Sequence, residues 1–106
     1  MKRGSMRVAI PAEMREELEG DIFMQWCILW DDWGYQCNGR IEWNHAFKYV
    51  GIRRNERWAI LPMCRYHHDK EAQYRTYIDK FLRKRIKHFN ATNDFKEKYP
   101  RSTLLI

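Results

Sequence analysis

The stretch that most constrains this chain is "CRYHH" at positions 64–68. Cys64 and His67 are separated by two residues, the spacing of a metal-ligand pair at a knuckle, and such a pair needs two more ligands from elsewhere. Cys27 and Cys37 are the remaining cysteines. The four residues make a tetrahedral Cys₃His set suited to a structural Zn²⁺, with every position filled by protein. Nine residues lie between Cys27 and Cys37, more than the usual two to four, so either thiol could instead be a small buried apolar group.

An odd cysteine count argues against a disulfide framework, and residues 1–10 carry no apolar core of a secretion signal. An intracellular protein is expected. At 106 residues the chain is long enough for one domain built on one core. Its 44% apolar and 15% aromatic content argue against disorder. With 32% charged residues and a mean hydropathy of -0.80, a membrane protein is equally unexpected.

The net charge of +6 is unevenly spread. Residues 71–106 hold nine cations against four acids, whereas residues 1–70 are nearly balanced. Such an excess attracts polyanions, with nucleic acid ahead of an anionic membrane.

"IPAEMREELEG" reads as a short packing helix, with Pro11 in its first turn and Gly20 beyond its end. "DIFMQWCILWDDWGYQCNG" is rich in aromatics and closes on an Asn38-Gly39 turn. Met24, Trp26, Trp30 and Trp33 are expected to pack against helices, and Asp31-Asp32 to lie in an exposed loop. "RIEWNHAF" and "RWAILPMC" read as strands, joined by the loop "KYVGIRRNE". From Cys64 the chain turns helical. Tyr74, Tyr77, Ile78, Phe81, Leu82, Ile86 and Phe89 form an apolar arc opposite Lys80, Arg83, Lys84 and Lys87. Arg85 falls inside that arc and is expected to carry its head out to water. A break follows Asn90, then a short helix near "NDFKEKY".

Strand, loop, strand and helix in this order can bring Asn44, His45 and His68 to one cleft. Histidine there supplies a proton acceptor near neutral pH. These residues resemble the HNH endonucleases of the ββα-metal fold, of the small kind found in phages. The resemblance spans about residues 27–72 and rests on Asn44-His45, on the intervening ribbon, and on Cys64-Arg65-Tyr66-His67-His68. It implies an α+β fold: a ββα-metal core with a zinc knuckle, flanked by an N-terminal helix and a long basic C-terminal helical region at about 71–100.

By that resemblance His45 is the general base, while Asn44 and His68 hold a catalytic Mg²⁺ or similar ion. The family's bracing Asn would fall by spacing on Ala59, so Asn55 takes that role from a longer loop. Glu42 shares a strand face with Asn44 and could assist. The implied activity is metal-dependent hydrolysis of DNA. Arg53, Arg54 and Arg57 on the loop, with Lys80, Arg83, Lys84 and Lys87 on the helix, would hold the DNA backbone, and a protein partner could add sequence specificity. The competing expectation is a zinc-stapled module that binds nucleic acid or protein without cutting.

Overall fold

The structure, a computed structural model, describes residues 9–106. The expected lack of a leader in residues 1–10 therefore falls mostly outside the described residues. Two helices come first, α1 (Ala12–Glu19) and the single-turn α2 (Trp30–Trp33). Strand β1 (Ile41–His45) is followed by a hairpin of β2 (Lys48–Tyr49) and β3 (Ile52–Arg53), and then by β4 (Ile60–Cys64). Three helices close the chain: α3 (Arg65–Asp69), α4 (Arg75–His88) and α5 (Thr92–Lys98). The class is α+β, as expected.

β1 and β4 pair antiparallel, from Ile41 opposite Cys64 to His45 opposite Ile60. This register sets the knuckle beside the start of β1 and His45 at its far end. All five residues of β4 are buried, because the ribbon is covered on both faces. Leu61 and Met63 join the main core with Ile78, Leu82 and Ile86 of α4. On the other face, Ile60 meets Leu18 and Met24, with Trp43 packed against them. A strand buried on both sides reads as a continuous apolar run, which is why "ILPMC" shows no alternation.

The loop between the long strands is more ordered than its sequence suggests. Phe47, Trp58, Phe95 and Tyr99 pack edge to face around it, with Phe47 at 5.0 Å from both Trp58 and Tyr99. Helix α5 is thereby pinned to the hairpin's base.

The helix expected to run on from Cys64 is interrupted. Cys64 caps α3 by accepting from the His67 backbone N–H, α3 ends at Asp69, and a 3₁₀ turn over Glu71–Tyr74 precedes α4. A knuckle needs a tight turn at its ligands, so the long apolar arc begins only after that turn. The end of α4 falls where expected. Asn90 takes φ 54, its N–H reaches the Lys87 carbonyl at 3.0 Å, and the Ala91 N–H reaches Ile86 at 2.9 Å. This is a Schellman closure, with Asn in the left-handed position.

Arg85 departs from expectation. Its head does not reach water: the residue is 5% exposed and its Nη2 meets the Asp21 carboxylate at 2.7 Å. The guanidinium lies over the rings of Phe23 and Phe89, at 4.0 and 4.8 Å. Asp21, acting as cap for the Ile22–Gln25 turn, is what makes burial of that charge tolerable. Of the aromatic segment, Met24 is buried and Trp33 packs edge-on against Tyr74 and Tyr77, whereas Trp26 and Trp30 are half exposed and lean on one another. Asp31 and Asp32 are exposed, on α2 rather than in a loop.

Candidate metal centre and the ends of the ribbon

Three chain segments deliver the cysteines and histidine to one point. Cys27 is placed where the Ile28 N–H bonds the Pro62 carbonyl of β4, and Cys37 where the Tyr66 N–H bonds Asn38. Gly39 permits this approach: at φ +87, a Cβ there would sit 2.6 Å from the Arg65 Cβ. Cys64 ends β4, and His67 follows within the first turn of α3.

The four ligand atoms all lie within 4.8 Å of one another. From His67 Nδ1, the sulfurs of Cys27 and Cys37 stand at 3.6 Å and that of Cys64 at 3.3 Å. Zn–S bonds of about 2.3 Å and a Zn–N bond of about 2.0 Å at tetrahedral angles would put sulfur and nitrogen roughly 3.5 Å apart. The donors therefore fit Zn²⁺ in both kind and spacing.

The histidine is also set in the right tautomer. Gln36 Oε1 receives His67 Nε2–H at 3.2 Å and the Tyr74 hydroxyl at 3.0 Å, so the Nδ1 lone pair faces the sulfurs. Sequence reading missed Gln36. Its one signal was its place immediately before Cys37.

Two of the three crowded thiols resist ionisation on their own. Burial first, and then the charge of Cys27, push Cys37 up to about 12; burial also raises Cys27. Burial acts the same way on Cys64, but the backbone N–H groups of His67 and Asn38 outweigh it and bring that thiol below its ordinary value. A divalent cation among the sulfurs would reverse the balance, since a coordinating thiol is deprotonated outright.

At the far end of β1, His45 Nε2 lies 3.2 Å from Asn55 Oδ1. The Asn55 amide nitrogen donates to the Ala9 carbonyl, which fixes the oxygen as the acceptor and hence Nε2 as the protonated nitrogen. Nδ1 keeps the lone pair. Burial and the nearby Arg53 guanidinium hold the His45 pKa below the ordinary value, against the opposite pull of Asn55. Asn55 thus bonds the His45 ring, and Ala59 is fully buried core.

His68 is held differently. Its Nδ1 lies 2.8 Å from Glu42 Oε1, leaving Nε2 outward on a ring that is 30% exposed. The bond from His68, with Arg65 nearby, keeps the Glu42 carboxyl below the usual range. Side chains alternate along a strand, so Glu42 and Asn44 share one face and His45 takes the other. Glu42, which holds His68, accordingly lies three positions before His45 on β1 and on the other strand face.

Asn44 is 2% exposed, with its amide nitrogen 3.3 Å from Met63 Sδ. At that exposure Asn44 offers little surface to a hydrated ion, whereas the His68 ring is partly exposed. Among the described residues, the Cys₃His group is the one cluster of three or more His, Cys, Asp or Glu with metal-binding spacing.

The basic residues divide. Lys80, Arg83, Lys84 and Lys87 are exposed on α4, and no acid lies in salt-bridge range of them among the described residues. The loop arginines are engaged: Arg57 with Glu17 at 2.6 Å, Arg53 with the His45 carbonyl and Glu71, and Arg54 with the Tyr49 carbonyl at 2.9 Å. Arg53, Arg54 and Arg57 thus brace the loop, and α4 carries the unpaired charge. Among the described residues no helix is long and apolar enough to cross a membrane. Compared with protein families, curated proteins and solved structures, the chain matches none.

Proposed function

We propose that this protein is a metal-dependent DNA endonuclease of HNH type, built on a zinc-stapled ribbon, with His45 as the general base. The observation that carries this reading is the His45–Asn55 pair. A base must present one unprotonated nitrogen in a fixed direction, and the pair leaves Nδ1 for that purpose on a ring held neutral near pH 7. His45 then takes a proton from water aimed at phosphorus.

His68 supports the same reading from the other side. A ligating histidine characteristically donates its second nitrogen to a carboxylate, as His68 does to Glu42. A Mg²⁺ or similar ion at its Nε2 would supply charge stabilisation at the leaving oxygen. In-line displacement puts the base and the ion on opposite sides of one phosphorus, so this reading requires both rings to reach a single phosphate. Lys80, Arg83, Lys84 and Lys87 supply phosphate contacts.

A second reading is favoured by Asn44. Sealed against Met63, it leaves His68 without a partner ligand, as expected of a module that binds nucleic acid through α4 and does not cut. Supercoiled plasmid incubated with zinc-loaded protein decides between them. Nicking in Mg²⁺ or Mn²⁺ that stops on chelation supports the nuclease. Tight DNA binding with no nicking in either ion supports the silent module.

A further inference from the structure

We propose that the tip of the β2–β3 hairpin, Val50 with Ile52, is an apolar wedge that enters the minor groove of duplex DNA and kinks it beside His45. This rests on the reading of the site as one that acts on DNA. Tyr49 pairs with Ile52, which leaves Val50-Gly51 as a two-residue turn with φ of 52 and 74. Both angles lie in the left-handed region, as a type I′ turn requires, and Asn-Gly is the sequence that fills such turns without strain. A β-branched valine there is an outlier.

Among the described residues no packing explains the choice. Val50 is 70% exposed and Ile52 56%, and a Cβ at Gly51 would meet nothing within 4 Å. Strain held at an exposed apolar tip marks a place where something outside the protein is met.

The hairpin's base is rigid. The Arg54 N–H bonds Phe47 at 3.0 Å, Arg54 Nη2 reaches the Tyr49 carbonyl, and the Tyr49 hydroxyl accepts the Arg101 N–H at 3.1 Å. Residues 46–54 connect His45 directly to Asn55, so the tip projects from the clasp that holds the base. Charge selects the occupant: residues 46–55 carry no acid, and Lys48 is exposed with no acid in salt-bridge range among the described residues, whereas Arg53 and Arg54 brace the loop. An apolar tip on a cationic stem is the chemistry of side chains that unstack a base step while phosphates are held on either flank.

The test uses a short duplex carrying 2-aminopurine at its centre and a dye pair at its ends, bound by the zinc-loaded protein without added Mg²⁺. Wild-type protein is expected to raise the 2-aminopurine emission and shorten the end-to-end distance. The double variant Val50→Asn, Ile52→Thr keeps a turn-compatible hairpin. It is expected to melt no lower than wild type and to keep the salt slope of binding, with affinity within about threefold because phosphate contacts dominate it, while losing both signals. Binding by wild type with neither signal, or signals of equal size from the variant, overturns the wedge and leaves the nuclease reading intact. Failure of wild-type protein to bind duplex at all overturns both.

Discussion

Removing the metal from the Cys₃His centre should unfold the protein rather than merely loosen it. The centre ties residues 27, 37 and 64–67, which besides the β1–β4 ladder and core packing are joined by the backbone bonds Ile28 to Pro62, Arg65 to Arg40 and Tyr66 to Asn38, each at 3.0 Å. Each such bond contributes about 1 kcal/mol net. A structural zinc site contributes roughly 10–16 kcal/mol, against a total stability of roughly 5–15 kcal/mol for a domain of this size. The bonds that remain cannot replace the cross-link. The assay is stepwise stripping with a strong chelator, followed by far-UV circular dichroism and tryptophan emission, with elemental analysis at each step. Trp33, packed 4.9 Å from Tyr77, should red-shift as helical signal is lost, and stoichiometric Zn²⁺ should restore both. Metal-free protein that keeps its melting temperature and its blue-shifted emission would refute the reasoning.

Gln36→Ala should weaken Zn²⁺ binding about 10–100-fold, because His67 loses the acceptor that sets its tautomer; competition against a chromophoric chelator measures it, and unchanged affinity removes Gln36 from the account. Asp21→Asn leaves the Arg85 charge uncompensated in the core, at a cost below the 3–5 kcal/mol typical of broken buried pairs, about 2–3 kcal/mol, since the Asp21 side chain is 24% exposed. Burial raises the Asp21 pKa, but the bonds from Arg85 and the Phe23 N–H outweigh it and the net value lies below 3.8. The pair's contribution is therefore full at neutral pH and fades as pH falls through the folded value, so urea titrations of wild type and variant should converge in acid; a difference that persists there contradicts the pairing. For plasmid nicking, a depressed His45 pKa predicts that kcat/KM rises with pH and levels off with a midpoint below 6.5, whereas a midpoint above 6.5 contradicts His45 as the free base.

Much of the metal centre was legible because ligation demands particular residue types at particular spacings. Cys64 and His67 announced the turn, and the other two cysteines had few alternative uses. The wide interval between Cys27 and Cys37 is spanned by α2 and a 3₁₀ turn, which fold the segment back on itself. Strand order and the closure of α4 were equally readable from apolar runs and from Asn90. What sequence did not disclose depends on pairing in space. Arg85 looked like a surface cation because its partner, Asp21, lies 64 residues away. Arg57 looked available to DNA because nothing local shows that Glu17 reaches it. His45 and His68 were expected together because both flank the ribbon; that His68 is held through Glu42, on the other strand face from His45, depends on a contact between α3 and β1 that spacing does not show. The hairpin tip was read as plain loop, since the strain at Val50 resides in a backbone angle and not in composition.

The most direct test is single-turnover nicking of supercoiled plasmid by wild-type protein and by His45→Ala, both zinc-loaded and both at saturating Mg²⁺ or Mn²⁺. The variant should carry the same zinc and bind DNA equally well, yet cut about 10²–10⁴-fold more slowly, the contribution expected of a positioned proton acceptor. A His45→Ala protein that nicks at the wild-type rate, or a wild-type protein that binds the plasmid and never nicks it, would contradict the assignment of His45 as the base.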